Sequence, residues 1–182
     1  MKSNKILIVL LSITSLFQVS CGGDDEPSDV SGCTDTRAEN YNANATTDNG
    51  TCVFPNDKFF GSYEGSFNCG GAFSVINQDV VTFDITPPAD DNEKEKVTVS
   101  ASVSGIPLSL EGDVDGNQIV FVDKVLQSIP IPSPVSNDTL IVDITFSGTA
   151  ELDNDLLDAT LAVGTTIIIP VTETCTFSGI KQ

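Results

Sequence analysis

Leu140-Ile141-Val142-Asp143-Ile144-Thr145-Phe146-Ser147 is the stretch that decides the fold. Leu140, Val142, Ile144 and Phe146 fall at every second position, with Ile141, Asp143, Thr145 and Ser147 between them. Successive side chains of an extended chain point to opposite faces, so a period of two predicts a strand with one buried face. The same period recurs outward in both directions. Val97, Val99, Ala101 and Val103 alternate with Thr98, Ser100 and Ser102. Val81, Phe83 and Ile85 repeat it, as do Leu157, Ala159, Leu161 and Val163. Turn residues fall between the runs at Asp115-Gly116-Asn117 and Asp153-Asn154-Asp155. Longer loops are expected at Pro87-Pro88 with residues 89–95, and at Pro130-Ile131-Pro132-Ser133-Pro134. The expectation is an all-β fold over residues 58–182. It is an antiparallel meander of about eight strands, closed or partly closed as a barrel, with a β-sandwich as the alternative.

The opening residues are of another kind. Lys2 and Lys5 precede an apolar run from Ile6 to Phe17. About 12 residues is too short for a bilayer, which takes roughly 20, and fits the apolar region of a signal peptide. Val19 and Ser20 then lead into Cys21. This resembles a lipobox, in which a peptidase cleaves before the cysteine and the thiol carries a diacylglycerol; here Gln18 stands where Leu is usual. The resemblance implies a lipoprotein signal peptide over residues 1–20 and lipidation of Cys21. An ordinary signal peptide cut elsewhere is the alternative. Residues 21–31 are too polar to build a core and read as a flexible acidic tether. They resemble the start of Bacteroidota-type lipoproteins, where acids behind the lipidated cysteine direct export to the outer face of the outer membrane.

The chain has 5 cysteines. With Cys21 lipidated, Cys33, Cys52, Cys69 and Cys175 remain. An even number in an exported chain implies two disulfides in one of three connectivities. Cys69 lies in phase with Tyr63, Gly65 and Phe67, and Cys175 with Val171 and Phe177. Both therefore point to the buried faces of the first and last strands. A Cys69–Cys175 bridge would set those strands side by side, as a closed barrel requires; a bridge between two sheets of a sandwich is the alternative. Gly61-Ser62-Tyr63-Glu64-Gly65 resembles the opening strand of lipocalin-like and calycin-like barrels, with Tyr63 in place of the usual Trp, and this too implies a barrel.

Composition excludes several functions. The chain has 8 basic and 26 acidic residues and no His. Removal of residues 1–20 takes away Lys2 and Lys5 but no acid, leaving a net charge of −20. Nucleic-acid binding needs a basic face and is not expected. Without His there is no imidazole base and no His-based triad. No phosphate loop and no G-x-S-x-G elbow occurs. Carboxylates that could form a hydrolytic pair are Asp84, Asp123, Asp143 and Glu173. The first three read as solvent-facing strand residues, whereas Glu173 shares the inward phase of Val171 and Cys175, at a barrel mouth or beside a bulge. No catalytic residue is assigned.

Residues 32–55 form a third region: Gly32-Cys33-Thr34-Asp35-Thr36-Arg37-Ala38-Glu39-Asn40-Tyr41-Asn42-Ala43-Asn44-Ala45-Thr46-Thr47-Asp48-Asn49-Gly50-Thr51-Cys52-Val53-Phe54-Pro55. This resembles a recurrent module of Bacteroidota-type surface proteins, G-C-T-D-x-x-A-x-N-Y-N-x-x-A-x-x-D-D-G-S-C-x-Y-P, often called similar to thrombospondin type-3 calcium repeats. Asn49, Thr51 and Phe54 depart from that pattern. A Cys33–Cys52 bridge would supply the constraint that burial cannot supply in so polar a segment, with Tyr41 and Phe54 stacked as a minimal core. Asp35, Asn40, Asn42, Asn44, Asp48 and Asn49 offer hard oxygen donors of the kind calcium takes. Turn capping by the same side chains is the alternative reading. Gly112 to Asn117 is better read as a hairpin than as a calcium loop, and no other cofactor is indicated. Asp138-Thr139-Leu140 resembles the short O-glycosylation site of Bacteroidota-type exported proteins, which would modify Thr139.

These readings converge on a lipoprotein of the outer membrane, lipid-anchored through Cys21 and facing the cell exterior. The expected role is a non-enzymatic binding module for a small apolar ligand, a glycan or a protein. A structural spacer or surface-coat lipoprotein is the alternative, and a carboxylate-pair hydrolase comes last. The expected partners are the bilayer and an unidentified ligand or surface partner.

Overall fold

The computed structural model describes residues 28–132, 139–166 and 170–182. The signal peptide, Cys21 and most of the tether lie outside the described residues. Two short strands, β1 (Ser31–Gly32) and β2 (Thr47–Asp48), pair in parallel within the cysteine-rich module. Eight further strands follow: β3 (Gly61–Cys69), β4 (Gln78–Thr86), β5 (Lys96–Val103), β6 (Ile106–Asp115), β7 (Gln118–Pro132), β8 (Thr139–Asp153), β9 (Leu156–Thr166) and β10 (Pro170–Lys181). Each pairs antiparallel with its neighbour in sequence, and β10 closes on β3. The domain is a closed eight-stranded barrel and not a sandwich.

The period-two pattern sets which side chains fill it. Val97, Val99 and Val103 of β5 are buried, as are Leu157, Ala159, Leu161 and Val163 of β9. Val142, Ile144 and Phe146 from the opening stretch join them in one apolar cluster. Cys69 stands opposite Cys175 in the β3–β10 register, and the two are disulfide-bonded. The closing ladder also pairs Gly65 with Gly179. A Cβ on Gly65 would stand 1.9 Å from the Ser178 carbonyl oxygen, so only glycine lets these strands approach so closely.

Two-residue turns at 104–105, 116–117 and 154–155 join β5 to β6, β6 to β7, and β8 to β9. Ser104, Gly105, Gly116 and Asn154 take positive φ there. The expected loop at Pro130 to Pro134 begins later than its prolines suggest. Pro130, Ile131 and Pro132 lie within β7, opposite Ile141, Leu140 and Thr139 of β8, and residues 133–138 lie outside the described residues. Proline lacks only the N–H, and a strand accepts it where that donor is not needed; a register shift between Leu126 and Ile129 precedes them.

The two ends of the barrel differ. A 3-10 turn, Asp57–Phe59, precedes β3 and carries Phe59 into the apolar cluster, fully buried. The Tyr63 hydroxyl donates to the Phe59 carbonyl at 2.9 Å. This turn stoppers the module end. At the other end the 3-10 segment Gly71–Ile76 buries Phe73.

Candidate functional site

The module is tied together by local polar bonds. Cys33 and Cys52 are disulfide-bonded. Asn40 clamps the two sides: its amide donates to the Thr51 carbonyl at 2.6 Å and its Oδ1 accepts from the Val53 N–H at 2.9 Å. Asn42 Oδ1 accepts from the Asn44 N–H, Asp48 Oδ1 from the Gly50 N–H, and Asn49 Oδ1 from the N–H and hydroxyl of Thr51. Asp35 is held by Arg37, with Nη2 2.7 Å from Oδ2 and both Nε and the backbone N–H donating to Oδ1. Hydrogen bonds from Arg37 hold the Asp35 carboxyl down at about 2. Each of these five expected calcium donors is thus engaged in capping a turn or in an ion pair, and Asn44 contributes its backbone N–H to the same network.

Two expectations for the module change. Its buried apolar residues are Cys33 and Ala38, while Tyr41 remains 43% exposed; Phe54 turns outward to lie 5.0 Å beneath the Lys94 ammonium. The module also begins before Gly32. Ser31 belongs to β1, Val30 bonds to Thr46 and Thr47, and the Asp29 carboxylate accepts from the Thr46 and Thr47 hydroxyls at 2.6 Å. Those hydroxyls lower the Asp29 pKa. The tether therefore ends by residue 28.

Where the module meets the barrel, a site forms that no single motif announced. Arg37 reaches across to the β4–β5 loop and donates to the Asn92 carbonyl at 2.5 Å. Asn56, only 2% exposed, donates its amide to the Lys96 carbonyl at 2.8 Å. Its Oδ1 is buried without a hydrogen-bond partner among the described residues, a cost of about 1–3 kcal/mol. Beside these contacts opens a cleft of about 290 Å³. Phe54, Phe60, Pro87 and Pro88 give it apolar walls; Asp57, Asp91 and Lys94 give it charge; Cys52 and Asn56 complete the lining. Lys94 is paired with Asp91 at 2.8 Å, and the Asp57 carboxylate accepts from the Phe54 N–H. Sequence reading placed Phe54 in the module and Pro87-Pro88 in a loop, but had no means of bringing them together. The one local signal was Pro55-Asn56-Asp57, a turn sequence at the boundary between the two regions.

The remaining candidates are dispersed. Asp84 accepts from the Ser62 hydroxyl at 2.5 Å on the outside of β3 and β4, Asp123 sits in a bulge of β7 with φ 45°, and Asp143 is exposed on β8. Glu173 is half-buried at the end away from the module, where a Cβ on Gly71 would strike its carboxylate. Thr139 opens β8, and its side chain lies outside the described ones. Among the described residues no cluster of three or more His, Cys, Asp or Glu could hold a metal ion. The chain matches no protein-family profile, no curated protein and no solved structure.

Proposed function

We propose that this chain is a lipid-anchored lipoprotein of the outer membrane, facing the cell exterior, that acts as a non-enzymatic binding module and holds its ligand in the cleft between module and barrel. The observation that carries this reading is the position of the open volume. At the module end the barrel is stoppered by Phe59 and Tyr63, while the cleft opens beside that stopper. Its volume lies just below the roughly 300–1,000 Å³ of ligand pockets. It suits one small unit, such as a terminal sugar or one side chain of a protein partner. Apolar walls with carboxylate acceptors suit a ligand that presents both C–H surface and hydrogen-bond donors. The lining therefore favours a glycan or a protein at the rim over an apolar molecule inside the barrel.

Anchoring through Cys21 fits the same arrangement. Eight residues from Cys21 to the fixed Asp29 span at most about 28 Å. The module end then stays near the membrane and the far end of the barrel points away from it. A rigid spacer is the second reading, favoured by the Arg37–Asn92 bond, which fixes the module against the barrel.

Thermal-shift screening of a soluble chain beginning at residue 22 tests the binding role. Oligosaccharides and peptides are screened against wild type and Pro88→Asp. A compound that raises the melting temperature of the wild type alone supports the cleft. A screen in which every stabiliser acts equally on both proteins removes it.

A further inference from the structure

We propose that Asp48-Asn49-Gly50-Thr51 is a self-modifying site, in which the Gly50 backbone nitrogen attacks the Asn49 side-chain amide and leaves a carboxylate at position 49. The parts of such a reaction are a nucleophile, a base, and donors for the oxygen on which charge develops. All three stand in this turn. The Gly50 N–H donates to Asp48 Oδ1 at 2.9 Å, so a carboxylate is in place to take its proton. Asn49 Oδ1 accepts from the Thr51 N–H at 3.0 Å and the Thr51 hydroxyl at 2.6 Å. Those two donors are aimed at the oxygen that becomes negative when nitrogen adds to Cγ. Gly50 has φ +70° and, its two chain neighbours aside, nothing within 4 Å of where a Cβ would stand, so this side of the turn is open.

The turn is also held in place. The Asn49 N–H donates to the Gly32 carbonyl at 3.2 Å, the Asn40 amide holds the Thr51 carbonyl, and the Cys33–Cys52 disulfide closes the loop. Pre-set geometry of this kind lowers the entropy cost of an intramolecular attack.

The chemistry balances with water alone. The Gly50 N–H bond breaks and its proton passes to Asp48. A bond forms from Gly50 nitrogen to Asn49 Cγ. The Cγ–NH2 bond breaks and ammonia leaves with the proton returned by Asp48. Water then opens the five-membered imide at either carbonyl, and the exposed turn admits it. One product is Asp at position 49. The other routes the main chain through the side-chain carbon, one methylene longer between β2 and Cys52. Both add one negative charge beside Asp48.

The test is peptide mass spectrometry of the folded mature chain held at neutral pH, following conversion of Asn49 from amide to acid together with ammonia release. Thr51→Val and Asp48→Ala should each slow conversion at Asn49 by about tenfold, while Asn44 and Asn154 in the same samples convert at wild-type rates. Opening the loop with Cys33→Ser and Cys52→Ser should also slow it. A turn that merely shields Asn49 would instead convert faster once opened. Wild-type rates in Thr51→Val or Asp48→Ala, or acceleration in the opened loop, overturns the proposal.

Discussion

The barrel and the module stand on either side of the cleft and are built by different means. Inside the barrel, Tyr63, Ile85, Val97, Ile119 and Val163 are among the residues with at most 1% of their surface exposed, and one apolar cluster joins all eight strands. In the module only Cys33 and Ala38 are buried, and order comes from a disulfide and a network of Asn and Asp caps. Burial of apolar surface is non-directional and cooperative, whereas caps are local bonds each contributing about 1 kcal/mol. The barrel should therefore stand without the module, and the module should depend on its own covalent loop and on the barrel face against which it rests.

The largest expected break in that contrast is at the closing strands. Removing the Cys69–Cys175 bridge with paired Ala substitutions releases a sequence separation of 106 residues. The barrel should lose about 4–5 kcal/mol in urea unfolding, with the module bridge unaffected on mass analysis. Next is the stopper. Phe59→Ala empties a fully buried site and should cost about 3–4 kcal/mol. It should also raise amide exchange in residues 35–58, because the same turn joins the two regions.

Third is the module's own loop. Cys33→Ser with Cys52→Ser releases a separation of 19 residues and should destabilise the module by about 3 kcal/mol. Protease should then cut within residues 33–52 while the barrel melts at its wild-type temperature. A fall in barrel melting would show that the two are one cooperative unit. The smallest effect is that of pH. The Asp35 carboxyl is held at about 2, below the ordinary aspartate value of 3.8, chiefly by hydrogen bonds from the Arg37 side chain. A depressed carboxyl stabilises the fold above its unfolded value and loses that contribution as pH falls through the folded one. The Arg37 N–H, which donates to Asp35, should thus keep a constant protection factor, its exchange rate corrected for the intrinsic pH dependence, from neutral pH down to about 4, and should lose protection toward 2. Arg37→Ala removes the side-chain bonds but keeps the backbone N–H, and should move that loss of protection up toward the ordinary carboxylate range.

The two regions also differ in what their sequences disclose. The strands of the barrel were legible because burial on one face imposes a period of two on Val97 to Val103 and Leu157 to Val163. The phase of Cys69 and Cys175 located the closure for the same reason. The prolines at 130 and 132 misled because their local preference for turns yields to pairing with β8. The module was legible as a disulfide-closed loop, but the same oxygens serve turn capping and metal ligation, and a sequence does not choose between the two uses. The cleft was not legible at all. Asn56 meets Lys96 across 40 residues, and Phe54 meets Lys94 across as many. Contacts of that range leave no periodic mark in the segments that make them.

The proposed site is the seam where these two regions meet. Native mass spectrometry of the chain extracted from its own cell envelope, as wild type and as Pro88→Asp, tests it most directly. The account predicts a lipidated mass in both proteins and a retained ligand in the wild type alone. A ligand held equally by both, or an unlipidated wild type without ligand, would contradict it.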